Sequence, residues 1–138
     1  NKGDSFDIFL SLPTTSPLRS KRDIKKSIDA LDDSTDIVVT MTSANRSPWF
    51  NMVKKNSDGY VKLLLNDDKR FHRRQDPPKV FDLTTVAYVT RPKFIQSANG
   101  VFDGNVSGVM IPRIRALDID TELDFEIAEC LIKKLTKE

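Results

Sequence analysis

Cysteine and histidine each occur once in this chain of 138 residues, and both scarcities narrow its chemistry at once. A lone Cys130 excludes an intrachain disulfide and, on a helical apolar face, fits a reducing, cytoplasmic setting. A lone His72, with no cysteine or second histidine beside it, argues against a zinc site, and no nucleophile motif supports Ser-His-Asp chemistry. Charge of one sign is missing too. The formal net charge is +2, so no global field demands nucleic acid or an anionic membrane. The apolar runs are far too short to span a bilayer. Neither an internal repeat nor a low-complexity tract is present. The opening residues Asn1-Lys2-Gly3-Asp4 carry no signal-peptide core and no initiator methionine, and read as the middle of a longer protein. Hydrophobic content of 38% beside 30% charged residues suits one globular domain over 1–138.

The pattern along the chain predicts an α/β fold. Asp7–Leu12 is a short apolar run that suits a buried strand, and a hydroxyl-rich loop with two prolines, 13–19, follows it. Ser20 with Asp23 gives a capping pattern, and Ile24, Ile28 and Leu31 give a helical stripe through about Leu31. The β-branched run Asp36–Met41 is the next strand, so the order strand-loop-helix-strand implies a parallel βαβ unit. From Asn45 to about Val80 the character changes to an extended or hairpin insert, with Asn56-Ser57-Asp58-Gly59 as its turn. Strand chemistry returns at Leu83–Val89, a short helix is expected over Arg91–Ser97, and Val106–Ile111 is another strand. The last helix carries a wide apolar stripe, with Leu123, Ile127 and Leu131 flanked by Phe125, Ala128, Ile132 and Leu135. Such a stripe is expected to lie flat on a sheet.

Four stretches carry candidate chemistry. In Asp118-Ile119-Asp120-Thr121-Glu122-Leu123-Asp124 two carboxylates alternate along an extended segment, and Thr121 with Asp124 then opens a helix. Paired hard oxygens at a strand end suit Mg²⁺, while acidic residues beside a helix start also serve simply as caps and dipole partners. The loop Thr14-Thr15-Ser16-Pro17-Leu18-Arg19 sits where α/β sheets bind ligands, and its Arg fork matches carboxylate or phosphate; an ordinary βα turn has the same composition. The run Lys69–Arg74 is a nucleic-acid patch, an arm toward an anionic small molecule, or a solvated loop. Trp49, Phe50 and Met52 suit either a dimer contact or a satellite core under the insert.

Three segments resemble one family in the right order. Leu12 to Arg19 resembles an LQPTSPLR loop; Arg73-Arg74-Gln75-Asp76-Pro77-Pro78, followed by a strand bearing Tyr88, resembles an RRQD-proline segment; and Asp118–Asp124 resembles a closing DIDTELD motif. The family is the acylneuraminate cytidylyltransferases, the CMP-sialic acid synthetases and their relatives acting on other acidic keto-sugars. The resemblance runs from Asp7 to the last helix.

That resemblance implies an incomplete Rossmann-like nucleotide-diphosphosugar transferase fold. It also implies a homodimer in which the insert, about 46–80, crosses to the partner. The implied substrates are CTP and an acidic 2-keto-3-deoxy sugar, with CMP transferred and pyrophosphate released. Asp118 and Asp120 are implied to be catalytic through Mg²⁺. Thr15, Ser16, Arg19, Arg74, Gln75, Thr84 and Tyr88 are implied to bind substrate, and neither nucleic acid nor a membrane is an expected partner. Pro13-Thr14 replaces the family's Gln-Pro, and Asp82-Leu83-Thr84-Thr85 replaces an Arg-Pro-Asn-Gly-like approach, so a relative of N-acetylneuraminate is expected rather than that sugar. The family's N-terminal PARGGSK-type CTP loop has no counterpart, so the 138 residues alone are expected to be inactive. The alternatives are a non-catalytic dimerisation or regulatory relative and, less favoured, a nucleic-acid contact through 69–74.

Overall fold

The computed structural model describes residues 5–65, 71, 73 and 75–135. They form two compact units, one made of the segments up to Thr42 and from Leu83 onward, the other of Ser43–Asp82.

The first unit is built on a four-stranded mixed sheet. Its strands are β1 (Phe9–Ser11), β2 (Ile37–Ser43), β5 (Phe81–Thr90) and β6 (Val106–Met110), in the spatial order β1-β5-β2-β6. β1 pairs antiparallel with β5, whereas β2 pairs parallel with β6. The all-parallel expectation is therefore corrected. β5, from late in the chain, inserts between the two strands that a simple βαβ reading makes neighbours. Local periodicity marks a strand but does not say which strand lies beside it.

Helix α1 (Lys21–Asp29) starts at a complete capping box: the Ser20 side chain accepts from the Asp23 N–H, and the Asp23 carboxylate accepts from the Ser20 N–H. It presents Ile28, with Ala30 and Leu31 beyond its end, to a cluster with Leu10, Val38, Val89 and Val109. Val38 and Val89 are fully buried, each worth about 1.5–3 kcal/mol of hydrophobic stabilisation. Arg91 closes the far end, where its guanidinium donates to the carbonyls of Leu31, Asp32 and Thr35. Pro at the first position then starts α2 (Pro92–Ser97). Gly104 leads into β6 because a Cβ there would sit 2.6 Å from the Asp36 carboxylate and 2.9 Å from its Cβ.

After β6, Ile111 is buried and donates its N–H to the Met41 carbonyl. A 3₁₀ turn (Arg113–Arg115) and the irregular stretch 116–120 lead into α3 (Glu122–Leu135). The expectation that α3 is buried along a wide face is overturned. Of its residues only Ala128 is buried, while Leu123, Phe125, Ile127, Ile132 and Leu135 are each at least 40% exposed, and Cys130 is exposed. Periodicity records where apolar side chains lie around a helix, not whether anything covers them.

The second unit holds the hairpin β3 (Val53–Lys55) and β4 (Val61–Leu63), paired antiparallel. Its turn is the expected Asn56–Gly59, with Gly59 at φ +90°, where an L side chain is strained. Val53, Tyr60 and Val61 are all more than half exposed. Among the described residues, no helix is long and apolar enough to cross a membrane.

Candidate functional site

The hydroxyl-rich loop is braced from inside. The Arg19 guanidinium donates from Nε to the Ser16 carbonyl at 2.9 Å and from one terminal nitrogen to the Pro13 carbonyl. Burial lowers the Arg19 pKa from its usual value. Ser16 is fully buried, and its hydroxyl lies 2.6 Å from that of Thr85 on β5. Thr15, by contrast, is exposed. Its carbonyl accepts the Ile119 N–H at 2.9 Å, and this one backbone bond joins the loop to the acidic segment.

Ile119 stands between the two candidate carboxylates. Asp118 is half-buried, and its Oδ1 is inaccessible to solvent with no hydrogen-bond partner. Leaving a carboxylate oxygen so placed is costly unless a cation or donor meets it. Asp120 is exposed, and the third carboxylate of the motif is already committed. Asp124 Oδ2 accepts from the Thr121 hydroxyl at 2.6 Å, the Thr121 N–H at 2.9 Å and the Asp120 N–H at 3.3 Å, closing the second capping box. Those bonds, the Thr121 hydroxyl foremost, hold the Asp124 pKa below the usual carboxylate range.

Tyr88 on β5 belongs to the same place. Burial raises its pKa, and the negative charge of Asp118 raises it further, so the phenol lies within electrostatic reach of that carboxylate. Tyr88 also lines a shallow apolar hollow of about 280 Å³ with Phe9, Ile37, Thr90, Phe94 and Ile95. Thr84 is turned elsewhere. It is buried, and its hydroxyl donates to Thr40 Oγ1 at 2.8 Å, so it is the neighbouring Thr85 that meets the loop. Gln75 is exposed in the second unit. Arg74, with His72, Lys69 and Arg70 of the basic run, lies outside the described residues.

The structure thus brings together the Thr15–Arg19 loop, Tyr88 and the Asp118–Asp120 segment. What the sequence did not signal is an ion pair behind them. Arg115 donates from Nε and Nη2 to both oxygens of Asp23, at 2.7 and 2.9 Å, and Asp23 is 1% exposed. Burial alone raises the Asp23 carboxyl. The Arg115 fork and the Ser20 hydroxyl and N–H more than offset this and hold it at about 2. Asp23 had a sufficient local explanation as a cap, and nothing near Arg115 in sequence marks it as that cap's partner.

Two Asp carboxylates, one with an oxygen lacking any partner, are a hard-oxygen donor set. Among the described residues no cluster of three or more metal-ligating side chains occurs. Such a donor set would suit Mg²⁺, a hard cation that is ordinarily held by one or two carboxylates together with substrate phosphates.

No family model matches the chain. A "Post-translational flagellin modification protein B" of Campylobacter coli is 33% identical over 130 residues, 94% of this chain and 54% of that protein. A "CMP-N,N'-diacetyllegionaminic acid synthase" of Campylobacter jejuni is 32% identical over 95 residues, 69% of this chain and 39% of that protein. The chain spans about half the length, or less, of these curated relatives. These likenesses support a sialic-acid-type cytidylyltransferase-like family.

Proposed function

We propose that this chain carries the sugar-acid side of a cytidylyltransferase with a Rossmann-like sheet, which transfers CMP from CTP to an acidic 2-keto-3-deoxy sugar and releases pyrophosphate in a cytoplasmic setting. The observation that carries the reading is the partnerless buried oxygen of Asp118, in a segment bonded to an oxyanion-suited loop and beside Tyr88. In this reading the anomeric hydroxyl of the sugar attacks the α-phosphorus of CTP. Such transfers depend on positioning and charge neutralisation more than on covalent catalysis.

Asp118 and Asp120 would hold Mg²⁺, which would supply neutralisation of phosphate charge there. The guanidinium donors of Arg19 that the loop leaves over offset and orient the sugar carboxylate, and Arg74 and Gln75, on the insert, serve the sugar site of the partner in the homodimer. The Thr15 hydroxyl and Tyr88 line the sugar pocket. Ser16 and Thr84 keep loop and strand in place through Thr85 and Thr40. The exposed apolar side chains of the hairpin, Val53, Tyr60 and Val61, support residues 46–80 as a homodimer arm.

The test is pyrophosphate release by the full-length protein with CTP, Mg²⁺ and a panel of keto-sugar acids headed by N,N'-diacetyllegionaminic acid. Turnover with at least one acid is expected, and Asp118→Asn is expected to lower kcat by about a hundredfold or more. No turnover with any acid, or turnover that survives loss of both Asp118 and Asp120, overturns the proposal.

A further inference from the structure

Both walls of the site converge on one buried carboxylate. On the loop side, Asp23 Oδ2 accepts from the Ser20 N–H at 2.9 Å and the Ser20 hydroxyl at 2.8 Å, directly after Arg19. On the acidic side, the same oxygen accepts Arg115 Nε, and Asp23 Oδ1 accepts Arg115 Nη2. The backbone of the segment that bears Asp118 is tied at Ile111 to Met41 and at Ile119 to Thr15. Between those two points lie the 3₁₀ turn and irregular residues 116–118. Arg115 is the last residue of that turn, three positions before Asp118, and its side chain is largely covered.

We infer that Asp23 and Arg115 are positioning residues: a guanidinium–carboxylate fork on the buried Asp23 that fixes the Asp118–Asp120 segment at a set distance from the Thr15–Arg19 loop. The fork is planar and bidentate, so it sets angle as well as distance, which a single ammonium contact does not do. Asp23 and Arg115 touch no reacting group. Their effect passes through the Ile119–Thr15 hydrogen bond and the placing of the partnerless Asp118 oxygen. The catalytic consequence rests on the cytidylyltransferase reading, whereas the geometric coupling does not.

The experiment uses the full-length protein and two variants, Arg115→Lys and the neutral pair Asp23→Asn with Arg115→Gln, which leaves no buried charge unpaired. Amide hydrogen exchange reads the coupling without any substrate. Ile119 is expected to exchange about tenfold faster or more in both variants, while Val38 and Val89 in the sheet keep their protection. In the pyrophosphate assay Arg115→Lys is expected to raise the Mg²⁺ concentration for half-maximal rate about fivefold and lower kcat about tenfold, with the KM for the sugar acid little changed. Unchanged exchange at Ile119, or an equal rise at Ile119, Val38 and Val89, overturns the positioning role. Should the wild-type protein turn over no sugar acid, the reaction proposal fails alone, and the exchange pattern still decides the coupling.

Discussion

The chain writes nearly the same start signal twice, Ser20 with Asp23 and Thr121 with Asp124, and the fold uses the two in different ways. Each is a reciprocal capping box at the head of a helix. Asp124 stays near the surface, where its partners are its own cap residue and the preceding N–H. Asp23 is buried and receives a guanidinium from 92 residues further along the chain. The local motif sets the helix start in both cases. The tertiary partner decides whether the carboxylate is a cap alone or a tie between distant segments.

The largest effect expected from breaking this contrast is at Asp23. Asp23→Ala removes the buried partner of the part-covered Arg115 together with the capping bonds to Ser20, which is expected to destabilise the fold by about 3 kcal/mol in chemical denaturation. A loss no larger than that of a surface cap would mean the two boxes are equivalent. Acid sharpens the same point. The native Asp23 carboxyl, at about 2, lies below its ordinary 3.8, so the folded state binds this proton less readily than the unfolded chain. Its contribution is therefore complete above about pH 4 and is lost as pH falls toward 2, amounting to about 2 kcal/mol. Acid unfolding of Asp23→Asn is expected to lack that component. The smallest effect belongs to the second box, where Thr121→Ala is expected to remove only about 1 kcal/mol, as for an ordinary cap.

Much of this was legible because it is local. The two capping boxes, the Asn56–Gly59 turn, the strand at Leu83–Val89 and the short helix after Arg91 follow from residue types a few positions apart. The loop and the acidic motif were legible as candidates for the same reason. What was not legible depends on distant partners. The insertion of β5 between β1 and β2, the fork from Arg115 to Asp23 (92 residues apart) and the turn of Thr84 toward Thr40 (44 apart) join residues distant in sequence. The apolar stripe of α3 shows the same limit from the other side, since Leu123 and Ile127 have the periodicity of buried residues and are exposed.

The account stands on loop and acidic segment being one site around the Asp118 oxygen. Mn²⁺ titrated with CTP into the ¹⁵N-labelled full-length protein tests this most directly, because the ion broadens amides in its neighbourhood. The expected result is broadening at Thr15, Tyr88 and Ile119 that disappears in Asp118→Asn. Broadening confined to other residues, or unchanged by Asp118→Asn, would contradict the account.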